Sequence, residues 1–189
     1  MRFYFFILLL VSCTNTSFKQ DDGEDVIVWQ KNHRLTWNDY KGKPQHNRFA
    51  AASTVYSMHR HIYKDANGNI MASIKAHFYP QDSWKGSYLD DALLAHEQKH
   101  FDIVELYARK LRKQLMEIKV RNEEDAQQKM DSLHKIIDDE MDAYQDKYDK
   151  ESDYSMAHDE QAAWIKQIDA AIDSLSAYQN TEVKFKSAF

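Results

Sequence analysis

The chain has a single cysteine, Cys13, among its 189 residues. No internal disulfide can form, and without a CxxC pair there is neither thiol redox chemistry nor a cysteine zinc site, so any metal must be held by His and carboxylates. A surplus of positive charge is missing too. With 25 basic and 30 acidic side chains the net charge is -5, so no basic field drives phosphate binding by counterion release, and no nucleic-acid partner is expected. Glycine and proline are scarce and unevenly placed. All four glycines (Gly23, Gly42, Gly68, Gly86) and both prolines (Pro44, Pro80) fall in the first 86 residues. These residues mark turns and helix stops, so the chain after Gly86 reads as helices joined by polar connections. What is present is a globular composition, 43% hydrophobic and 29% charged, which excludes disorder of the whole chain. The length fits one domain with a short extra segment.

That segment is the start. Met1-Arg2 is followed by the apolar run Phe3 to Val11, too short to span a bilayer and of the length of a signal-peptide core. It ends in Leu10-Val11-Ser12-Cys13, which resembles the lipobox of bacterial lipoproteins, where cleavage before the cysteine leaves it to carry lipid. The expectation is a signal peptide over 1–12, a lipidated polar tether over 13–24 and a single domain over 25–189. The protein would then be exported and held on a membrane of the bacterial envelope, periplasmic or surface-facing, through a lipid on Cys13.

Within the domain, Val26 to Trp29 suits a short strand. The stretches 51–63 and 70–79 are rich in β-branched and aromatic residues, and Asn67-Gly68 between them supplies the positive φ of a tight hairpin. Beyond Gly86, apolar residues recur at helical spacing over 88–119, about 122–147 and 158–178. Asp146 to Tyr154 reads as a polar loop. The spacing predicts an α+β domain, a small antiparallel sheet in the N-terminal half packed on three C-terminal helices.

The first helix carries His96-Glu97-Gln98-Lys99-His100, an HExxH sequence. Residues four apart lie about 40° apart around a helix and one turn along it, so both imidazoles can face one metal ion. Glu97, turned aside by about 100°, can take a proton from a water beside that ion, the arrangement of zinc peptidases. Both histidines lie on the apolar stripe of Leu89, Leu93, Ile103 and Tyr107, where a polar group needs a partner. Two core histidines satisfied by hydrogen bonds are the bland alternative. A catalytic zinc site takes a third protein ligand, and Asp102 and Glu105 fall on other faces of this helix. His134 and His158 compete for the role. Periodicity does not choose between them, while the start of a helix after a polar loop favours His158. Tyr154, Tyr148 and His77 are candidate donors to a transition state.

The segment Leu-Thr-Trp-Asn-Asp-Tyr-Lys-Gly (35–42), the pair Ser83-Trp84, the run Ala-His-Glu-Gln-Lys-His-Phe-Asp-Ile (95–103), and then Tyr148-Asp149, Ser155, His158, Gln161 and Trp164 carry a likeness. Together they resemble the bacterial family catalogued as domain of unknown function 922, described from its motif as secreted zinc-dependent proteases. The resemblance implies a zincin-like helix with His96 and His100 as zinc ligands, Glu97 as the catalytic carboxylate and His158 as third ligand, acting on a peptide or protein substrate. Ser155 stands where the family has Thr. Asp159 stands where Gly is usual, placing a carboxylate beside His158 as its partner or as a ligand in its own right. The alternative function is a non-catalytic zinc-binding or structural envelope lipoprotein.

Overall fold

In a computed structural model the chain is described over residues 25–44 and 51–189. The expected signal peptide, Cys13 and the tether lie outside the described residues. The architecture is α+β. Strand β1 (Ile27–Val28) is followed by a 3-10 turn at Trp37–Asp39, strand β2 (Ala52–Ser53), the hairpin β3 (Tyr56–Lys64) and β4 (Ile70–Phe78), and strand β5 (Trp84–Lys85). Helix α1 (Asp91–Leu115), strand β6 (Lys119–Val120), helices α2 (Glu123–Glu151) and α3 (His158–Ser174), and strands β7 (Glu182–Lys184) and β8 (Lys186–Ser187) complete it.

The hairpin pairs Tyr56 with Phe78 through to Lys64 with Ile70. Gly68 at φ 78° closes it, helped by Asp65, whose carboxylate accepts from the backbones of Asn67 and Asn69. The sheet has a member the sequence reading omitted. Strand β7, near the C-terminus, pairs with β4 from Met71 to Ser73, beside β1 on the same edge. Its Val183 and the next apolar residue, Phe185, are buried in the core, and that burial, about 1.5–3 kcal/mol for each side chain, draws the tail back. Strand β8 then adds a parallel pair with β6.

Helix α1 is the centre of the molecule. Asp90 caps its first turn by accepting from the Leu93 backbone, and Phe101, Ile103, Val104, Ala108, Leu111 and Leu115 are all buried. The sheet covers one side, with Phe78 against Phe101. Helix α2 runs antiparallel to α1, since His96 meets Asp149, His100 meets Gln145 and Tyr107 meets Tyr144. Helix α3 runs parallel to α1, with Gln161 bonded to Ala92 and Arg109 to Ile172. Enclosed on so many sides, α1 also buries charge. Arg112 is wholly buried and donates to both carboxylate oxygens of Glu105 and to the carbonyls of Ile74 and Tyr178.

Helix α2 corrects the reading of its end. The segment 146–154 is helical through Glu151 rather than a loop. Met141, Gln145, Tyr148 and Ser152 are buried at helical spacing, and Lys147–Glu151 and Lys150–Asp146 pair across one turn. A polar composition marked the exposed face, not a break in the helix. The chain reverses at Asp153, Tyr154 and Ser155, all at positive φ.

Candidate metal centre

The extension of α2 delivers a carboxylate to the HExxH helix. Asp149 Oδ1 lies 3.1 Å from His96 Nε2 and 3.1 Å from His100 Nε2, and the two ring nitrogens are 3.1 Å apart. Three atoms so spaced share a point about 2.1 Å from each, standing about 1 Å off their plane, which are the bond lengths and the three-sided base of a tetrahedral site. His96, His100 and Asp149 are a group that could hold a metal ion.

The outer nitrogens decide the ring tautomers. His100 Nδ1 donates to Gln145 Oε1 at 2.7 Å, and Gln145 Nε2 returns to the His100 carbonyl at 3.0 Å, which orients the amide. Ser152 Oγ gives its proton to the Tyr148 carbonyl at 2.7 Å, so it can only accept from His96 Nδ1, at 3.4 Å. With both Nδ1 atoms protonated, the inward Nε2 atoms carry lone pairs. Three acceptors then converge, and a positive species must sit among them. A proton can serve. Burial, the largest influence, opposes the His100 imidazolium, but the hydrogen bond and charge of Asp149, the charge of Glu97 and the Gln145 acceptor outweigh it and raise the pKa to about 9. Burial also works against the charged form of Asp149, and the two histidines reverse this, holding its carboxyl well below the usual range. A metal ion is the other such species.

Tyr148 packs beneath the triangle, its ring stacked on His96 at 4.6 Å and edge-on to Trp164 at 5.6 Å. Burial first, and then the charges of Asp149 and Glu97, raise its pKa, so the phenol stays protonated. Glu97 is 5% exposed. Its Oε2 accepts from Thr54 Oγ1 at 2.6 Å, while Oε1 has no hydrogen-bond partner among the described residues. Tyr56, at the start of β3, is raised by burial and by the charges of Asp142, Asp149, Asp146 and Glu97, a second protonated phenol in the field of the site.

The other candidates are not gathered here. His158 is the exposed first residue of α3 and Asp159 beside it is exposed as well; the metal-holding group contains neither. It is Asp149, not His158, that stands beside the two imidazoles. His134 lies fifteen residues before Asp149 on α2, about 22 Å along the axis, and is engaged by Arg60 and Asp138. Tyr154 is 62% exposed. His77 is buried on β4, stacked on His59. Asp149 was visible in the sequence beside Tyr148, and the stripe running on through Gln145, Tyr148 and Ser152 was the signal that its helix reaches that far.

Fold and cluster together define an α+β domain whose central HExxH helix, with one carboxylate from the next helix, forms a group able to hold a metal ion. The chain belongs to the family of bacterial proteins of unknown function DUF922, whose family model matches residues 15–159. No curated protein and no solved structure matches the chain. Among the described residues no helix is long and apolar enough to cross a membrane.

Proposed function

We propose that the protein is a zinc-dependent metallopeptidase of the bacterial envelope, zincin-like in its helix, exported and lipid-anchored through Cys13. His96, His100 and Asp149 would hold the metal. The observation that carries this reading is the convergence of three lone-pair atoms 3.1 Å apart, beside a carboxylate with one oxygen tethered and the other without a hydrogen-bond partner among the described residues. When bound, zinc supplies Lewis acidity and lowers the pKa of water from 15.7 towards about 7.

The chain's own groups do the rest. Glu97 Oε1 accepts the proton of the attacking water and delivers it to the leaving amine, so that one C–O bond forms, one C–N bond breaks and one water is consumed. Gln145 and Ser152 keep both imidazoles in the Nδ1–H tautomer, which leaves Nε2 for the metal. Tyr148 and Trp164 wall the rear of the cluster with apolar surface. The test is Glu97→Gln. The variant keeps zinc and loses hydrolysis of a peptide library by about 10²–10⁴-fold; full activity would refute the role of Glu97.

A second reading is a metal-binding or structural lipoprotein that cleaves nothing. The near-complete burial of His96, 3% exposed, and of Glu97 favours it, because a substrate must reach both. Wild-type protein that holds stoichiometric zinc and hydrolyses no peptide would establish it.

A further inference from the structure

The segment before the hairpin, with its Leu-Thr-Trp-Asn-Asp-Tyr-Lys-Gly run, does more than cover α1. It touches the HExxH helix repeatedly. The Leu35 backbone donates to Gln98 Oε1 at 2.7 Å, and Trp29 Nε1 donates to Asp102 Oδ1 at 2.8 Å. Tyr40, buried against Trp37 and Phe78, sends its hydroxyl to Thr54 Oγ1 at 2.8 Å. Thr54 is 2.6 Å from Glu97 Oε2. Thr54 has one hydroxyl proton. As the carboxylate that its proposed role requires, Glu97 can only accept, so that proton goes to Oε2, nearer than the Glu97 carbonyl at 3.4 Å, and Thr54 must accept the proton of Tyr40. The result is a one-way donor chain from Tyr40 through Thr54 to one oxygen of Glu97.

The backbone around Thr54 is fixed on both sides. Strand β2 pairs with β5 just before it, and the Val55 backbone donates to Ser83 Oγ at 2.9 Å just after it. Gly86 donates to Ala51 at 2.7 Å and Gly42 to Ser83 at 2.8 Å. A Cβ on Gly42 would stand 2.8 Å from the carbonyls of Gln81 and Ser83, so only glycine admits this approach. The phenol at the head of the chain stays protonated, since burial and the charge of Glu97 raise its pKa strongly.

We infer that Thr54 is a positioning residue for Glu97, with Tyr40 orienting Thr54, so that Oε1 is presented as the proton-accepting oxygen. This rests on the reading of Glu97 as the proton acceptor beside a metal. A carboxylate free to rotate would offer either oxygen in many poses; one tethered at Oε2 offers Oε1 in few, and a catalytic group out of place costs rate.

The test uses the zinc-loaded full chain as wild type, Thr54→Val, Thr54→Ser and Tyr40→Phe, assayed on a mixture of internally quenched peptides. Binding of acetohydroxamic acid, a metal chelator with a proton to give to the neighbouring carboxylate, is measured by calorimetry. Thr54→Val is expected to lower kcat about tenfold or more and weaken the hydroxamate by a similar factor, with KM and zinc stoichiometry unchanged and the protein still fully folded at the assay temperature. Thr54→Ser restores both, and Tyr40→Phe falls between. Unchanged kcat and hydroxamate affinity in Thr54→Val would overturn the inference, as would losses that only track lost zinc or lost stability. Wild-type protein that cleaves no peptide overturns the peptidase reading alone, because the hydroxamate arm still reports whether Thr54 sets the carboxylate.

Discussion

Replacing Asp149 by Asn removes one charge and almost no volume, and so isolates the feature that the helical end of α2 supplies. In metal-free protein the loss falls on His100. Its pKa of about 9 against an ordinary 6.5 depends on Asp149, a difference of roughly 3 kcal/mol at 1.36 kcal/mol per unit. The sign follows from linkage. A raised imidazole pKa stabilises the fold fully below pH 6.5, and this stability is lost as pH rises to about 9. The wild-type apoprotein should therefore lose up to about 3 kcal/mol of unfolding free energy over that window, and Asp149→Asn should flatten the profile by removing the low-pH gain. Zinc runs the other way. The proton must leave His100 before the metal binds, so apparent affinity should rise with pH up to about 9. If Asp149 carries what one of the four protein ligands of a structural site carries, about 2.5–4 of about 10–16 kcal/mol, Asp149→Asn should raise the zinc Kd roughly 10²–10³-fold. Competition against a chromophoric chelator measures it, with His158→Ala as the comparison, expected to bind as wild type. Zinc affinity within threefold of wild type in Asp149→Asn, or an equal loss in His158→Ala, would refute the three-ligand assignment.

Two further perturbations probe the surroundings. Gln145→Leu leaves the half-buried His100 Nδ1–H without its acceptor and should weaken zinc about 10–100-fold while the circular dichroism spectrum stays that of a folded protein. Arg112→Met leaves Glu105 paired with Arg109 alone and takes the buried donor from the carbonyls of Ile74 and Tyr178, and should cost about 2–5 kcal/mol in urea unfolding, with no direct effect on the metal group.

The hairpin, the three helices and the pairing of His96 with His100 were legible because each is written in local spacing. A turn needs Asn-Gly, a helix needs its apolar stripe, and two ligands four residues apart share a face whatever else the chain does. Partners distant in sequence were not. Thr54 lies 43 residues before Glu97 and Asp149 lies 53 residues after His96, and no periodicity links such positions. Composition misled at the end of α2, where Asp, Lys and Glu suggested a loop and buried Tyr148 and Ser152 extend a helix. The same holds for the tail, whose Val183 finds β4 only once the sheet edge exists to receive it. Local pattern settles which residues can face the same way. Which carboxylate meets two imidazoles depends on how far one helix runs before the chain turns, and that is set by packing between helices, since burying the Tyr148 ring between His96 of α1 and Trp164 of α3 holds α2 helical to that point.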